Sequence, residues 1–233
     1  MAKLFGVGVG PGDPKLLTLK AIEVIENADI IAIPASGQTV NVAYTIAKGA
    51  IPDIDKKQIE ELSMPMTRDE DELKKNHEVA AEKIAIWLKM GKNVAFLTLG
   101  DPTVYSTYIY VHKRIEKMGL DTEIIPGITS FCAVAARLNE SLTEAGEMLH
   151  VIPASYKGFE EAMALPGTKI LMKSGKQIGK VKNILKNMKT PQKVKMIERC
   201  GMEGERIFNS LDEIDENAGY FSVLLAKDEK VGE

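Results

Sequence analysis

The sequence predicts an α/β protein of two domains. Through the first half, short apolar, β-branched runs alternate with longer amphipathic stretches, the pattern of a largely parallel sheet covered by helices. The second half keeps the strands but has fewer helices between them, which indicates a mixed sheet with antiparallel pairs. A length of 233 residues suits two domains of about 100 to 130 residues each. The change of rhythm sets the expected domains at 1–117 and 118–233.

Residues 3–9 form the first expected strand, followed by a helix at 16–27 and a strand at 29–33 that stops at Pro34. A helix is expected at 40–49. The clearest helix spans 67–90, where Thr67 and Glu70 fit a capping box and Asp69, Asp71 and Glu72 suit the positive end of the dipole. Leu73, Ala80, Ile84, Trp87 and Leu88 recur on one face, and Gly91 supplies a stop. A strand at 93–99 meets Gly100-Asp101-Pro102, a helix follows at 104–118, and a strand at 122–125. Beyond it, strands are expected at 149–152, 169–172, 194–198, 206–208 and 221–225, with helices at 131–138 and 177–188.

Hydrophobic residues make up 45% of the chain and charged residues 27%, enough to bury a core. Lys and Arg total 30 against 33 Asp and Glu, so no basic excess points to nucleic acid. Two cysteines exclude a disulfide scaffold, and three scattered histidines without Cys-x-x-Cys give no protein metal site. No run reaches the roughly 18 apolar residues that span a bilayer. Gly6, Gly8, Gly10 and Pro11 interrupt the opening apolar run, which a signal peptide would need intact. The expectation is a soluble, cytoplasmic protein.

Three loops carry the chemistry. The first, Gly6-Val-Gly8-Val-Gly10-Pro11-Gly12-Asp13-Pro14, fails the dinucleotide register, because the sixth position from Gly6 is Pro11 and from Gly8 is Asp13. Pro11 and Pro14 lack the amide donors of a phosphate cradle, and Asp13 would repel a phosphate. A cationic or neutral ligand fits better; a tight surface turn is the plainer alternative. The second loop, Thr98-Leu99-Gly100-Asp101-Pro102 with Tyr105-Ser106-Thr107 after it, lies where a strand ends and a helix begins, the ligand edge of an open parallel sheet. Asp101 is placed to accept hydrogen bonds from ribose hydroxyls or an amine, or to cap the helix. The third, Pro126-Gly127-Ile128-Thr129-Ser130-Phe131, again joins strand to helix and offers hydroxyls and helix-start amides.

In this order and spacing the three loops resemble the tetrapyrrole (corrin and porphyrin) methyltransferases, and the resemblance extends over essentially the whole chain. Met64-Pro65-Met66-Thr67-Arg68-Asp69, Tyr105-Ser106-Thr107 and Pro126-Gly127-Ile128-Thr129-Ser130-Phe131 resemble the members that methylate C20 of cobalt-factor II or precorrin-2 on the route to cobalamin. The resemblance implies two α/β domains with a cofactor cleft between them (a class III methyltransferase) and S-adenosylmethionine as methyl donor. It assigns Pro11, Leu99, Gly100, Asp101, Val104, Thr129, Ser130 and Met172 to the cofactor, together with Arg199 and Cys200, where the family more often has Asn-Gly-Thr nearby. Gly10, Gly12 and Asp13 would border the substrate, and Arg68 would meet its carboxylates, with Lys15, Lys113 and Lys173 as further cations. Cobalt would arrive in the substrate ring. The proton acceptor is unassigned, with Tyr105 the named candidate; His77, His112 and His150 are expected to be structural or exposed. The resemblance also implies a homodimer. Methylation of another ring carbon and a diphthamide-type methylase are the alternative activities.

Overall fold

The computed structural model describes residues 2–35, 41–67, 69–155, 157–188 and 192–228. The chain divides into two compact units, Met1–Thr129 and Ser130–Glu233. The two α/β units match the expected class.

In the first unit, β1 (Lys3–Gly8), β2 (Ile30–Ala35), β3 (Gln58–Ser63), β4 (Val94–Thr98) and β5 (Asp121–Ile125) form one sheet in the order β3-β2-β4-β1-β5. Every neighbouring pair is parallel. The connecting helices are α1 (Leu19–Asn27), α2 (Val42–Ala50), α3 (Glu70–Lys89) and α4 (Tyr108–Lys117). Leu4, Ala32, Val94 and Phe96 of the sheet pack with Ala80, Ile84 and Trp87 of α3 and with Val111 and Ile115 of α4.

Connections run from β1 past β4 to β2, and from β4 past β1 to β5, so the winding reverses between β1 and β4. At such a reversal the loops leaving the two strands diverge and open a place for a ligand. The expected end of the first domain at 117 is corrected to Thr129. Residues 121–125 pair along β1, from Lys3↔Asp121 to Val7↔Ile125, and therefore complete the first sheet.

Several helices start later than expected, α1 at Leu19 rather than 16 among them, and two of these shifts have a visible local cause. Asp69, not Thr67, caps α3: its carboxylate accepts from the amides of Asp71 at 3.0 Å and Glu72 at 3.1 Å. The Thr67 hydroxyl accepts from the Asp69 amide one turn earlier. Helix α4 begins at Tyr108 rather than 104, because Tyr105 takes a left-handed backbone conformation that helix cannot pass through.

The second unit opens with α5 (Ser130–Leu138). Its sheet runs β6 (Leu149–Pro153), β7 (Thr168–Met172), β10 (Ser222–Asp228), β8 (Gln192–Glu198) and β9 (Arg206–Phe208). The β6–β7 pair is parallel, and the β7–β10, β10–β8 and β8–β9 pairs are antiparallel, as the thinner helix content predicts. Helices α6 (Phe159–Met163) and α7 (Ile178–Lys186) cover it through Phe159, Met163, Ile178, Val181 and Leu185. At the far rim the Lys169 ammonium, 1% exposed, meets Asp228 at 2.6 Å.

Candidate functional site

Parallel pairing brings the carboxyl ends of β1, β4 and β5 to one rim of the first sheet. The chain beyond each end is held by backbone. The Val9 amide donates to the Thr98 carbonyl at 2.9 Å, and Gly10 and Gly100 exchange amide–carbonyl bonds of 3.3 and 2.8 Å. Both glycines have positive φ, 76° and 71°, which a side chain would strain. Gly8 and Gly127 are needed for a different reason. A Cβ on Gly8 would lie 2.6 Å from the Gly100 carbonyl oxygen, and one on Gly127 would lie 2.2 Å from it. Three loops from distant parts of the sequence therefore touch backbone to backbone.

Asp101 ties this junction. It is buried, one carboxylate oxygen accepts from the Gly127 amide at 2.9 Å, and the other accepts from the Thr103 amide at 2.8 Å and from the Thr103 hydroxyl. Its carboxylate thus joins the second loop to the third, a role the sequence did not suggest. Asp13 is engaged locally too, accepting from the Lys15 amide at 2.9 Å as cap of a short 3-10 turn. Pro11 and Gly12 are buried beside it, and Leu99 and Val104 are half-buried. The hydroxyls of Thr98 and Thr129 are buried without a protein partner, so the rim offers two unsatisfied hydrogen-bonding groups.

The loop holding Tyr105 is anchored from below. Tyr108, fully buried, lays its ring where a Cβ on Gly6 would come within 2.1 Å. Its hydroxyl meets His112 Nδ1 at 3.1 Å, and His112 Nε2 lies 3.3 Å from Glu116. Burial pushes the Tyr108 phenol pKa upward, so it stays protonated. The Ser106 hydroxyl accepts from the Tyr108 amide at 3.1 Å, while Tyr105 itself is 45% exposed. His77 is buried and stacks on Tyr110 with centroids 4.9 Å apart, and His150 Nε2 lies 2.8 Å from the Pro166 carbonyl. All three histidines sit in structural places. Lys15 and Lys113 are exposed, and Arg68 lies outside the described residues.

The second unit carries its assigned residues on one rim of its own sheet. Met172 ends β7, where its carbonyl accepts from the Ala154 amide at 2.8 Å. Lys173 follows with a positive φ of 53°, and the Ser174 hydroxyl is buried without a partner. Arg199 follows β8 with φ 56°, and its Nε donates to the Glu203 carbonyl at 2.7 Å. Cys200 is buried; desolvation and the nearby Glu205 push its thiol up to about 11 against the pull of Arg137, so it is no nucleophile at neutral pH. Ser130 begins α5 and is half-buried. Among the described residues no three His, Cys, Asp or Glu side chains gather as metal ligands, and no helix is long and apolar enough to cross a membrane.

Comparison with known proteins gives this arrangement its context. The family model of the Tetrapyrrole (Corrin/Porphyrin) Methylases matches residues 3–215. A probable cobalt-precorrin-2 C(20)-methyltransferase of Methanocaldococcus jannaschii is 41% identical over 229 residues, covering 97% of this chain and 96% of that one. Among solved structures, a cobalt precorrin-4 methyltransferase superposes with a TM-score of 0.76 at 21% identity, over 97% of this chain and 94% of that chain. A uroporphyrin-III C-methyl transferase of Thermus thermophilus, complexed with S-adenosylhomocysteine, gives 0.71 at 18% identity, over 97% of each chain. The chain belongs to the tetrapyrrole (corrin/porphyrin) methylases.

Proposed function

From that membership we propose that the protein transfers the methyl group of S-adenosylmethionine to the C20 bridge carbon of cobalt-factor II, with precorrin-2 as the metal-free counterpart, in cobalamin biosynthesis. The observation that carries this reading is 41% identity along 97% of the chain to a relative named for C20 methylation. Cobalt is part of the substrate.

The residues present fit the cofactor. Glycine contacts at Gly8, Gly10, Gly100 and Gly127 leave a rim faced with backbone, and Thr98 and Thr129 add unpartnered hydroxyls. Such a rim suits a polar, cationic molecule without phosphates. Pro11, Leu99, Gly100, Asp101, Val104 and Thr129, on the rim of the first unit, would hold it. When bound, S-adenosylmethionine supplies an electrophilic methyl group on a sulfonium that leaves as a neutral thioether. The protein's own part is positioning. The Asp101 tie fixes the loops at the rim, and rigid walls hold reactants in line and exclude water. The C20 proton is lost after methyl transfer. Tyr105, beside the rim and 45% exposed, is the candidate to relay it, its hydroxyl taking up the C20 proton as its own phenolic proton passes to water.

Anaerobic incubation of the protein with S-adenosylmethionine and either ring tests the proposal by mass spectrometry and NMR. One added methyl at C20 is expected, faster with cobalt-factor II. A methyl at another carbon would keep the family and overturn the position. The reading extends to a cytoplasmic homodimer, and a monomer in sedimentation would overturn that part.

A further inference from the structure

Helix α4 carries a polar ladder that the proposed chemistry leaves unused. Tyr108, His112 and Glu116 stand four residues apart, on one face of the helix. Tyr108 is fully buried, His112 is half-buried, and Glu116 reaches solvent. The Tyr108 hydroxyl lies 3.1 Å from His112 Nδ1, and His112 Nε2 lies 3.3 Å from the Glu116 carboxylate.

These partners assign the protons. A carboxylate only accepts, so the imidazole presents N–H to Glu116 from Nε2. The bare Nδ1 then accepts from the Tyr108 hydroxyl, which burial keeps protonated. With the proton on Nδ1 instead, the carboxylate would face a bare nitrogen. With a proton on each nitrogen, the buried hydroxyl would lose its acceptor. One tautomer therefore fills both bonds. A phenylalanine at 108 would fill the space beneath Gly6 equally well, with no polar group to satisfy. What the buried pair adds to apolar packing is a single position for the Tyr108 ring.

That position is felt at the rim. Tyr108 is the first residue of α4, and its amide donates to the Ser106 hydroxyl at 3.1 Å. Tyr105, with its left-handed backbone, comes just before. The earlier residues of the loop are held by other partners: Gly100 by Gly10, and Asp101 by Gly127 and Thr103. We propose that His112 is a positioning residue for the methyl transfer. Through Tyr108 it sets where Tyr105 stands when the C20 proton leaves, an inference that rests on the C20 reading above.

The test measures kcat and KM for cobalt-factor II, and the Kd of S-adenosylhomocysteine, in His112→Phe, His112→Asn and Glu116→Gln. His112→Phe keeps a ring but removes the acceptor. Its kcat is expected to fall about tenfold, with KM and Kd little changed. His112→Asn, whose amide oxygen takes the place of Nδ1, should recover most of that loss. Glu116→Gln can donate as well as accept, so it should admit the second tautomer and lower kcat by a smaller factor. The imidazole ¹⁵N spectrum reads the tautomer directly: Nε2–H alone in the wild type, a mixture in Glu116→Gln.

His112→Phe leaves a buried hydroxyl unpaired and should melt lower than wild type. The double variant Tyr108→Phe, His112→Phe removes both polar groups, so it should recover the melting temperature while kcat stays low. A double variant with wild-type kcat would overturn the inference, because the pair would then serve stability alone. Equal losses of kcat in the Asn and Phe variants, or a loss carried by KM or by Kd, would overturn it as well. If the wild-type protein does not methylate the ring at C20, the C20 reading falls and the role of His112 with it. Wild-type turnover matched by His112→Phe removes the inference alone.

Discussion

The two sheets build their loop-bearing rims by opposite means. In the first unit, glycines remove side chains until three loops meet backbone to backbone at Gly8, Gly100 and Gly127. In the second, Lys173 and Arg199 keep long side chains where glycine would sit more comfortably. The first rim gains close approach and rigidity. The second retains charge at the expense of local strain. One fold class thus supplies a backbone surface and a side-chain surface, and substitutions toward or away from glycine should act with opposite signs on the two.

The largest expected effect lies in the first rim. Gly127→Ala puts a methyl group 2.2 Å from the Gly100 carbonyl oxygen, and neither partner is a flexible side-chain end. A loss of about 3 kcal/mol in urea unfolding is expected, together with lost cofactor binding. Normal stability would show that the junction yields. Next is Asp101→Asn, which keeps the shape but replaces the carboxylate that accepts from Gly127 and Thr103. It should lower stability by about 2 kcal/mol, and unchanged protection of the Gly127 amide in hydrogen exchange would contradict the tie. In the second rim the sign reverses. Arg199→Gly should raise stability by about 1 kcal/mol, read from the same urea curves, and a loss would mean the guanidinium itself supports the loop.

The smallest effect is a difference in acid response. Burial, then the positive charge of Arg114, holds the His77 pKa below its ordinary 6.5. The fold therefore favours neutral His77. Stability is full above the unfolded value and falls as pH drops from about 6.5 toward the lowered folded value. In the second unit, burial raises the Asp228 pKa, but the Lys169 ammonium, the Gly167 amide and Gln192 together outweigh it and leave the pKa lowered. That stability is present at neutral pH and is lost only as pH falls below the unfolded carboxylate value near 4. Mild acid should loosen the first unit before the second. His77→Phe, which keeps the stack on Tyr110, should remove the response between pH 6.5 and 5.

Much of this was legible in the sequence because glycine and the hydrophobic period speak directly. The parallel first sheet, the mixed second sheet and the three glycine loops follow from those signals. Strand β3 was not foreseen: in Gln58–Ser63 only Leu62 is buried, and a polar edge strand leaves little pattern. Helix α6 is five residues long, too short for a period. The domain end was set too early because pairing of β5 with β1 depends on contacts across more than a hundred residues, which no local window contains. In the site, the position of Asp101 was legible but its partner was not, since Gly127 is remote in sequence. Lys173 and Arg199 were singled out by the resemblance, but their left-handed backbone was not legible, since a long side chain gives no sequence signal for a positive φ.

The register of β1 also governs the order in which the protein can be made. Both neighbours of β1 arrive late, β4 pairing from Val94 and β5 from Asp121, while β2 and β3 pair with each other first. A chain emerging from the ribosome therefore carries its first strand, with Leu4 and Val7, unpaired until some ninety further residues have been added. At about 5 to 20 residues per second that interval lasts several seconds, during which an apolar strand edge is open to aggregation. The glycine junction closes only after Gly127 emerges, so the last residues of the first unit to be synthesised complete the rim that its first residues began.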